Sequence, residues 1–225
     1  MKYVGVPLGI WVLFVGSFQD HLSTEFGYGR PEAKRITGNA KIKYKEIIKN
    51  LPEFEKGDHF QINIVGCAML GAFILSMPER PDVERLTEYY AKAMMTGAMK
   101  WYCRQSGKSK FSTEDIENMQ SSAKRKAADR NPYSWNFDFY EYPDGSGYEG
   151  RFTRCGICTL MKELGLYDLT PALCHLDYTM SDVGESSRFV RQYTLASGGP
   201  YCDCGYKKNV LDRDGKPVTS PIVNG

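Results

Sequence analysis

The spacing of apolar residues changes once along this chain, near residues 131–133, and that change limits the folds open to it. Upstream, apolar side chains recur every three or four positions, which is the period of an amphipathic helix. Downstream, Trp135, Phe137 and Phe139 alternate with other residues, which is the two-residue period of a strand. The sequence therefore predicts an α+β fold, in which a helical N-terminal part packs with a small antiparallel sheet and two short helices.

The same change predicts the domain organisation. The chain has 225 residues, of which 42% are hydrophobic, enough for one globular core. We expect a single α+β domain over residues 1–210, made of a helical part, residues 1–130, and a strand-rich part, residues 131–210, that carries the site. The remaining residues, 211–225, are expected to form a polar tail.

The helical part is expected to contain five helices, over residues 3–18, 30–51, 59–77, 82–105 and 112–130. The third is nearly continuous apolar sequence and ends before Pro78, so it should be the central helix of the core. The first should be a buried amphipathic helix, because Pro7 interrupts its apolar stretch, which falls short of the roughly 20 residues that a membrane span needs. Ser112 or Thr113 can cap the last helix.

The strand-rich part should begin with a hairpin whose turn lies at residues 143–147. Two short helices are expected next, over residues 157–165 and 170–184. Gly165 can end the first, and Thr170 can cap the second. Two further strands should complete the antiparallel sheet, over residues 187–199 and 201–209.

Charge and cysteine content limit the expected partners. The formal net charge is only +2, and the basic run at residues 124–126 lacks the aromatic residues of a nucleic-acid interface, so no nucleic-acid partner is expected. Neither a membrane span nor an export signal is expected from residues 3–18. A cytoplasmic, reducing location would leave the seven cysteines as free thiols or ligands. The expected partner is a small-molecule substrate, and a homodimer stays open.

Three blocks in the strand-rich part are similar to one known family. They are "RFTRCGICTLMKELG" at residues 151–165, "CHLD" at residues 174–177 and "SGGPYCDCGY" at residues 197–206. Over residues 150–206 the chain resembles the L-2-amino-thiazoline-4-carboxylic acid hydrolase family. The resemblance implies a hydrolase that opens a small cyclic amidine at a carbon–nitrogen bond and yields a carbamoyl-cysteine-type product.

The family blocks carry over onto Cys155, onto Cys174 with Asp177, and onto Cys202 with Asp203. In the implied reaction, a nucleophile or an activated water adds to the carbon between nitrogen and sulfur, and the ring opens. That chemistry requires an attacking group and a group that carries a proton. Thiols and carboxylates of these blocks can supply both.

Cys155 is the expected nucleophile, because it lies just ahead of a predicted helix and beside Arg154, and both features lower a thiol pKa. Asp177 is the expected proton carrier, with Asp203 as its rival, and Cys202 is the other candidate catalytic thiol. On a regular strand Cys202 and Asp203 face opposite sides, so they would serve one site only if a bulge re-aimed one of them.

Substrate-binding roles are expected for Arg154, Cys174, Gly198 and Gly199. Asp177 lies three residues after Cys174, so both should face the same side of one helix. The paired glycines precede the Cys-Asp-Cys segment and make a local departure from regular strand geometry plausible.

Two other functions stay open. Cys158 and Cys204 extend the family pattern to Cys-x-x-Cys and Cys-x-Cys pairs, which are soft ligands suited to zinc or an iron–sulfur cluster. No cofactor is predicted, because the pairs lie in helix-leading and strand-like contexts rather than in tight turns. A bound metal would draw its ligands from Cys155, Cys158, Cys174, Cys202 and Cys204. A small-ligand sensor without turnover is the third class. Cys67 and Cys103 are expected to pack in the core.

Overall fold

A computed structural model describes residues 1–209, so the predicted tail at 211–225 lies outside the described residues. The fold is α+β, as predicted. The helices are α1 Val6–Phe26, α2 Arg30–Asn50, α3 Gln61–Ile74, α4 Val83–Met94, α5 Gly97–Lys108, α6 Thr113–Ala127, α7 Gly156–Glu163, α8 Thr170–Cys174 and α9 Leu176–Gly184. The strands are β1 Asn136–Glu141, β2 Gly147–Arg154, β3 Ser187–Val190 and β4 Cys202–Lys208.

Helix α3 lies at the centre of the core, which confirms the prediction from its continuous apolar sequence. Every residue from Ile64 to Ile74 is buried, and the helix packs against α1, α2 and α7. The Phe73 ring contacts the rings of Trp11 and Phe18 on α1. Complete burial of a side chain such as Phe18 stabilises the fold by about 1.5–3 kcal/mol.

Helix α1 is longer and less amphipathic than predicted. It continues to Phe26 and ends at Gly27, whose backbone is left-handed with φ 74°. Its inward face is buried, but Val12 and Leu13 on the other face are exposed. In the described part of the chain, no helix is both long and apolar enough to cross a membrane.

Two predicted helices are each divided in the structure. The stretch expected to be one helix over residues 82–105 breaks at Thr96, because the Thr96 side chain accepts a hydrogen bond from the Met99 amide and starts α5 as a new helix. The stretch over residues 170–184 breaks at His175, which separates α8 from α9. Thr170 is therefore not a cap: it is the first residue of α8, and its hydroxyl donates to the Tyr167 carbonyl.

The sheet is antiparallel with strand order β1-β2-β4-β3. The predicted hairpin joins β1 to β2, and its turn is closed by the Tyr142 amide donating to the Gly147 carbonyl. In the pairing of β2 with β4, Phe152 lies opposite Cys202. The end of β2 and the start of β4 therefore meet at one end of the sheet, where α7 begins.

The strand predicted over residues 187–199 is much shorter, since β3 ends at Val190. The following main chain leaves the ladder because the Asp203 carboxylate accepts hydrogen bonds from the Gln192 and Tyr193 amides. A 3₁₀ turn over Leu195–Ser197 follows and is capped by Thr194. An intramolecular carboxylate thus replaces strand partners in this segment.

Candidate active site

Cys155 lies at the junction between β2 and α7, where it is the N-cap residue with extended backbone at φ −133° and ψ 116°. The next residue has to be glycine, because a Cβ on Gly156 would lie 1.9 Å from the Tyr133 carbonyl oxygen. This close approach fixes the start of α7 against the segment that leads into β1. The Cys155 thiol is consequently held at a helix N-terminus and is partly buried.

Nearby donor groups lower the pKa of Cys155 to about 7. The Cys158 thiol contributes most, and burial opposes the change. The amides of Cys158 and Ile157, in the first turn of α7, and the Trp135 side chain also contribute, although the Cys155 side chain accepts no cap hydrogen bond from α7. The expected effect of a helix N-terminus is therefore present, because these amides have no partner within the helix.

Arg154 has a different partner from the one expected. Its guanidinium donates to the Asp129 carbonyl oxygen at 2.6 Å and lies 3.8 Å from the Asp129 carboxylate. It is not among the main causes of the lowered pKa of Cys155. These contacts tie the end of β2 to the segment after α6.

Four half-buried or buried thiols come together around the start of α7, and we call Cys155, Cys158, Cys174 and Cys202 the thiol cluster. The hydrogen bond to Cys155 raises the pKa of Cys158, and burial and the neighbouring thiols raise it further. Burial raises the pKa of Cys174 to about 12 despite the charge of Arg191. Cys155 therefore differs from its neighbours in being readily ionised.

Cys202 reaches the cluster from β4. Burial raises its pKa, while the Leu195 amide donates to its sulfur at 3.1 Å and acts in the opposite direction. Gly198, with left-handed backbone at φ 81°, and Gly199, whose amide donates to Thr194, form the turn that follows Leu195. In the structure, these glycines shape the loop that meets Cys202.

Cys67 is fully buried on α3, as predicted, but it also lies beside the cluster. Burial raises its pKa, and the charges of Cys155 and Cys174 add to that effect. Cys103 is also buried, and its pKa is raised by burial. The helical pattern of α3 carries no signal that one of its buried positions adjoins the site.

Arg191 was not found by sequence analysis, although it connects the site residues of three elements. Its side chain is only 6% exposed. It donates to the Asp177 carboxylate at 2.5 Å, to the Cys174 carbonyl oxygen at 2.7 Å and to the Cys204 sulfur at 3.0 Å. Its Nε is buried and has no hydrogen-bond partner among residues 1–209. Basic residues after a strand are common, so no motif marks this one.

Asp203 projects away from the thiols. The β2–β4 register runs regularly through this segment, so Cys202 and Cys204 share one face and Asp203 takes the other. Both Asp203 carboxylate oxygens accept main-chain amides, at 2.8 Å and 2.6 Å. The bulge that would have brought Cys202 and Asp203 to one side is absent from this pairing.

Metal binding has no ready-made ligand set in residues 1–209, where no group of three or more His, Cys, Asp or Glu residues is arranged to hold an ion. Of the five cysteines considered as ligands, Cys204 accepts a hydrogen bond from Arg191 at 3.0 Å. A guanidinium among thiols disfavours a second cation.

Two cavities lie outside the thiol cluster. One, of about 200 Å³, is lined by polar residues 55–59 and by the end of α6. The other, of about 330 Å³, lies between α2 and α7. Neither of these two cavities is lined by a cysteine. Cys155, Cys158 and Cys174 are themselves partly exposed.

A model of the family described as L-2-amino-thiazoline-4-carboxylic acid hydrolase matches residues 67–206. The match is more than half of the chain and runs from Cys67 on α3 to Tyr206 on β4, so it includes every member of the thiol cluster together with Arg191. No curated protein matches the chain significantly. The extent of the family match shows that this chain belongs to the L-2-amino-thiazoline-4-carboxylic acid hydrolase family.

Proposed function

We propose that this protein is a hydrolase that opens a small cyclic amidine with Cys155 as its nucleophile. The observation that carries the proposal is the position of the Cys155 thiol at the start of α7, where a thiol, two main-chain amides and an indole stabilise its ionised form. With a pKa of about 7, roughly half of the Cys155 thiol is ionised at neutral pH. A thiolate of that kind attacks an electrophilic carbon without prior proton removal.

Cys155 is favoured over Cys202 as the attacking group. Burial raises the pKa of Cys202, whereas the pKa of Cys155 is lowered. We therefore assign Cys202 and Cys174 to the wall of the site and assign the bond-forming step to Cys155.

Asp177 is proposed as the group that carries the proton. Its side chain is 39% exposed, so the carboxylate is open to a substrate on one side while Arg191 holds it on the other. Because Arg191 also bonds the Cys174 carbonyl and the Cys204 sulfur, it positions Asp177 relative to α8 and β4. A carboxylate fixed in this way can pass a proton to the ring atom that leaves.

The first step forms a bond between the Cys155 sulfur and the ring carbon that lies between nitrogen and sulfur. The electron pair of the C=N bond moves to nitrogen, which takes a proton. One ring bond of the resulting tetrahedral adduct then breaks, and the departing ring atom takes a proton. Water adds to the same carbon, the bond from that carbon to the Cys155 sulfur breaks, and the product leaves as the Cys155 thiolate is regenerated. Cleavage at the ring nitrogen, the outcome expected from the resemblance, leaves the carbamoyl group on sulfur, whereas cleavage at the ring sulfur leaves it on nitrogen and frees a thiol.

Incubation of the full chain with 2-amino-thiazoline-4-carboxylate tests the proposal. Chromatography with mass detection follows loss of substrate, and a thiol reagent applied to the small-molecule fraction distinguishes the two products. Cys155→Ser should lower turnover by about a thousandfold or more, because a serine hydroxyl is not ionised near neutral pH. Cys103→Ser, at a buried thiol outside the cluster, is the matched control and should keep turnover.

Near-normal turnover in Cys155→Ser would assign the attack to a water held by Asp177, because Asp203 faces away from the thiols. Binding of the compound without any product would instead favour the small-ligand sensor.

A further inference from the structure

Cys155 and Cys158 form a pair that the hydrolytic reaction does not require. They lie on one element, with Cys155 as the N-cap of α7 and Cys158 in its first turn. Each thiol is the main influence on the pKa of the other, which indicates that the two sulfurs lie close together, and both residues are partly exposed. A Cys-x-x-Cys pair at a helix N-terminus is the arrangement in which a protein exchanges between dithiol and disulfide.

We propose that Cys155 and Cys158 are a site of reversible two-electron oxidation, in which a hydroperoxide oxidises Cys155 and Cys158 then closes a disulfide with it. The proposal rests on the geometry of the pair and not on the hydrolase activity. One consequence does rest on the proposed function: while the disulfide is present, Cys155 cannot attack a substrate.

The chemistry balances with a hydroperoxide as oxidant and a dithiol as reductant. The Cys155 thiolate attacks one peroxide oxygen, the O–O bond breaks, and Cys155 becomes a sulfenic acid while the leaving oxygen takes a proton. The Cys158 sulfur then attacks the Cys155 sulfur. An S–S bond forms, the S–O bond breaks, and the Cys158 proton leaves with the oxygen as water. An external dithiol reverses the change by thiol–disulfide exchange and is itself oxidised.

Cys158 is better placed than the other thiols to react with an oxidised Cys155. It lies in the first turn of the helix that Cys155 caps, and the two thiols influence each other's pKa more than any other group does. Cys174 and Cys202 belong to α8 and β4, and the Cys202 sulfur already accepts the Leu195 amide. A disulfide from Cys155 to either of them would require one element to move relative to another, because disulfide geometry is narrow.

Peroxide titration of the full chain tests this inference. The native protein is treated with hydrogen peroxide, alkylated with N-ethylmaleimide and digested with trypsin, which cleaves after Arg154 and Lys162 and so releases residues 155–162 with both cysteines. We expect this peptide to lose two hydrogen atoms and to carry no alkyl group, at a rate at least about tenfold above oxidation of Cys103. Dithiothreitol should restore the alkylated form.

Two variants separate the chemistry from general thiol damage. Cys158→Ser should leave a sulfenic acid at Cys155 that dimedone traps, and more peroxide should carry it to the sulfinic acid. Cys202→Ser is the matched control and should still form the disulfide. A disulfide from Cys155 to Cys174 or Cys202, oxidation of Cys103 as fast as Cys155, or direct conversion of wild-type Cys155 to the sulfinic acid would each overturn the proposal.

Discussion

Two buried cations of this protein stand in contrasting surroundings. Lys126 on α6 donates to the carboxylates of Asp58 and Asp129, at 2.6 Å and 2.7 Å, and to the Ser134 hydroxyl at 2.7 Å. Arg191 donates to one carboxylate, one carbonyl and one thiol, and in the described part of the chain its Nε has no partner. The first set is complete, since an ammonium has three donors and all three are used.

This difference in partners distinguishes a cation with a structural role from a cation that belongs to the candidate site. A fully paired lysine with oxygen partners joins α6 to the segments before α3 and β1, and nothing in that network is chemically reactive. The contacts of Arg191 instead connect a half-exposed carboxylate with two cysteines of the site. We therefore expect changes at Lys126 to affect stability and changes at Arg191 to affect turnover.

The largest effect is expected from Lys126→Met. Removing the ammonium takes away the cation that pairs with the Asp58 carboxylate, whose side chain is 5% exposed, and leaves the Asp129 carboxylate, 17% exposed, with the Arg154 guanidinium at 3.8 Å. Breaking a buried ion pair in this way costs about 3–5 kcal/mol. Urea denaturation should show the loss, with Lys124→Met on the exposed face of α6 as control. If Lys126→Met lowered the free energy of unfolding by less than Lys124→Met does, the contrast between the two cations would be lost.

Arg191→Lys should give the next effect, on turnover. A lysine keeps the charge but cannot reproduce the planar fork that holds Asp177, so we expect kcat to fall about a hundredfold, as misplacement of a catalytic group by 1 Å does. Arg188→Lys, at an exposed position of β3, is the control. Full turnover combined with a larger loss of stability than in Lys126→Met would make Arg191 the structural cation.

A third prediction concerns acid. Burial alone raises the pKa of Asp129, but hydrogen bonds from Lys126 and Ser134 outweigh it and lower the pKa to about 2, from a reference value of 3.8. Because the folded pKa is the lower one, this contribution is fully present above pH 4 and is lost as the pH falls towards 2. The contribution of Asp129 to the free energy of unfolding should amount to about 2 kcal/mol. Denaturation curves of wild type and Asp129→Asn between pH 5 and pH 2 measure it, and parallel pH profiles would contradict it.

The smallest effect is expected from metal removal. Since Arg191 places a positive charge beside Cys174 and Cys204, we expect less than about one zinc or iron per chain in the purified protein. Dialysis against a chelator should leave the Tm unchanged. A stoichiometric metal by elemental analysis would show that the thiols are ligands and that Arg191 occupies another position in the metal-bound form.

The elements that the sequence predicted correctly depend on interactions between residues that are close together in the chain. The change of period at residues 131–133 predicted the α+β fold, and alternation through Trp135 and Phe137 predicted the hairpin. The breaks at Thr96 and His175 were missed, although Thr96 before Gly97 has the composition of a cap. Apolar spacing continues across such a break with almost no change in period, so the pattern cannot locate it.

The candidate site also has one part that the sequence predicted and another that it did not. The position of Cys155 ahead of a helix was readable from the sequence by itself, because an N-cap and its amides lie within one turn of chain. The position of Cys67 near that thiol, the arrangement of Cys174 and Cys202 around it, and the bonds of Arg191 were decided only by the tertiary structure. Some of these residues lie more than a hundred positions apart in the sequence. Their packing in three dimensions therefore leaves no periodic pattern along the chain.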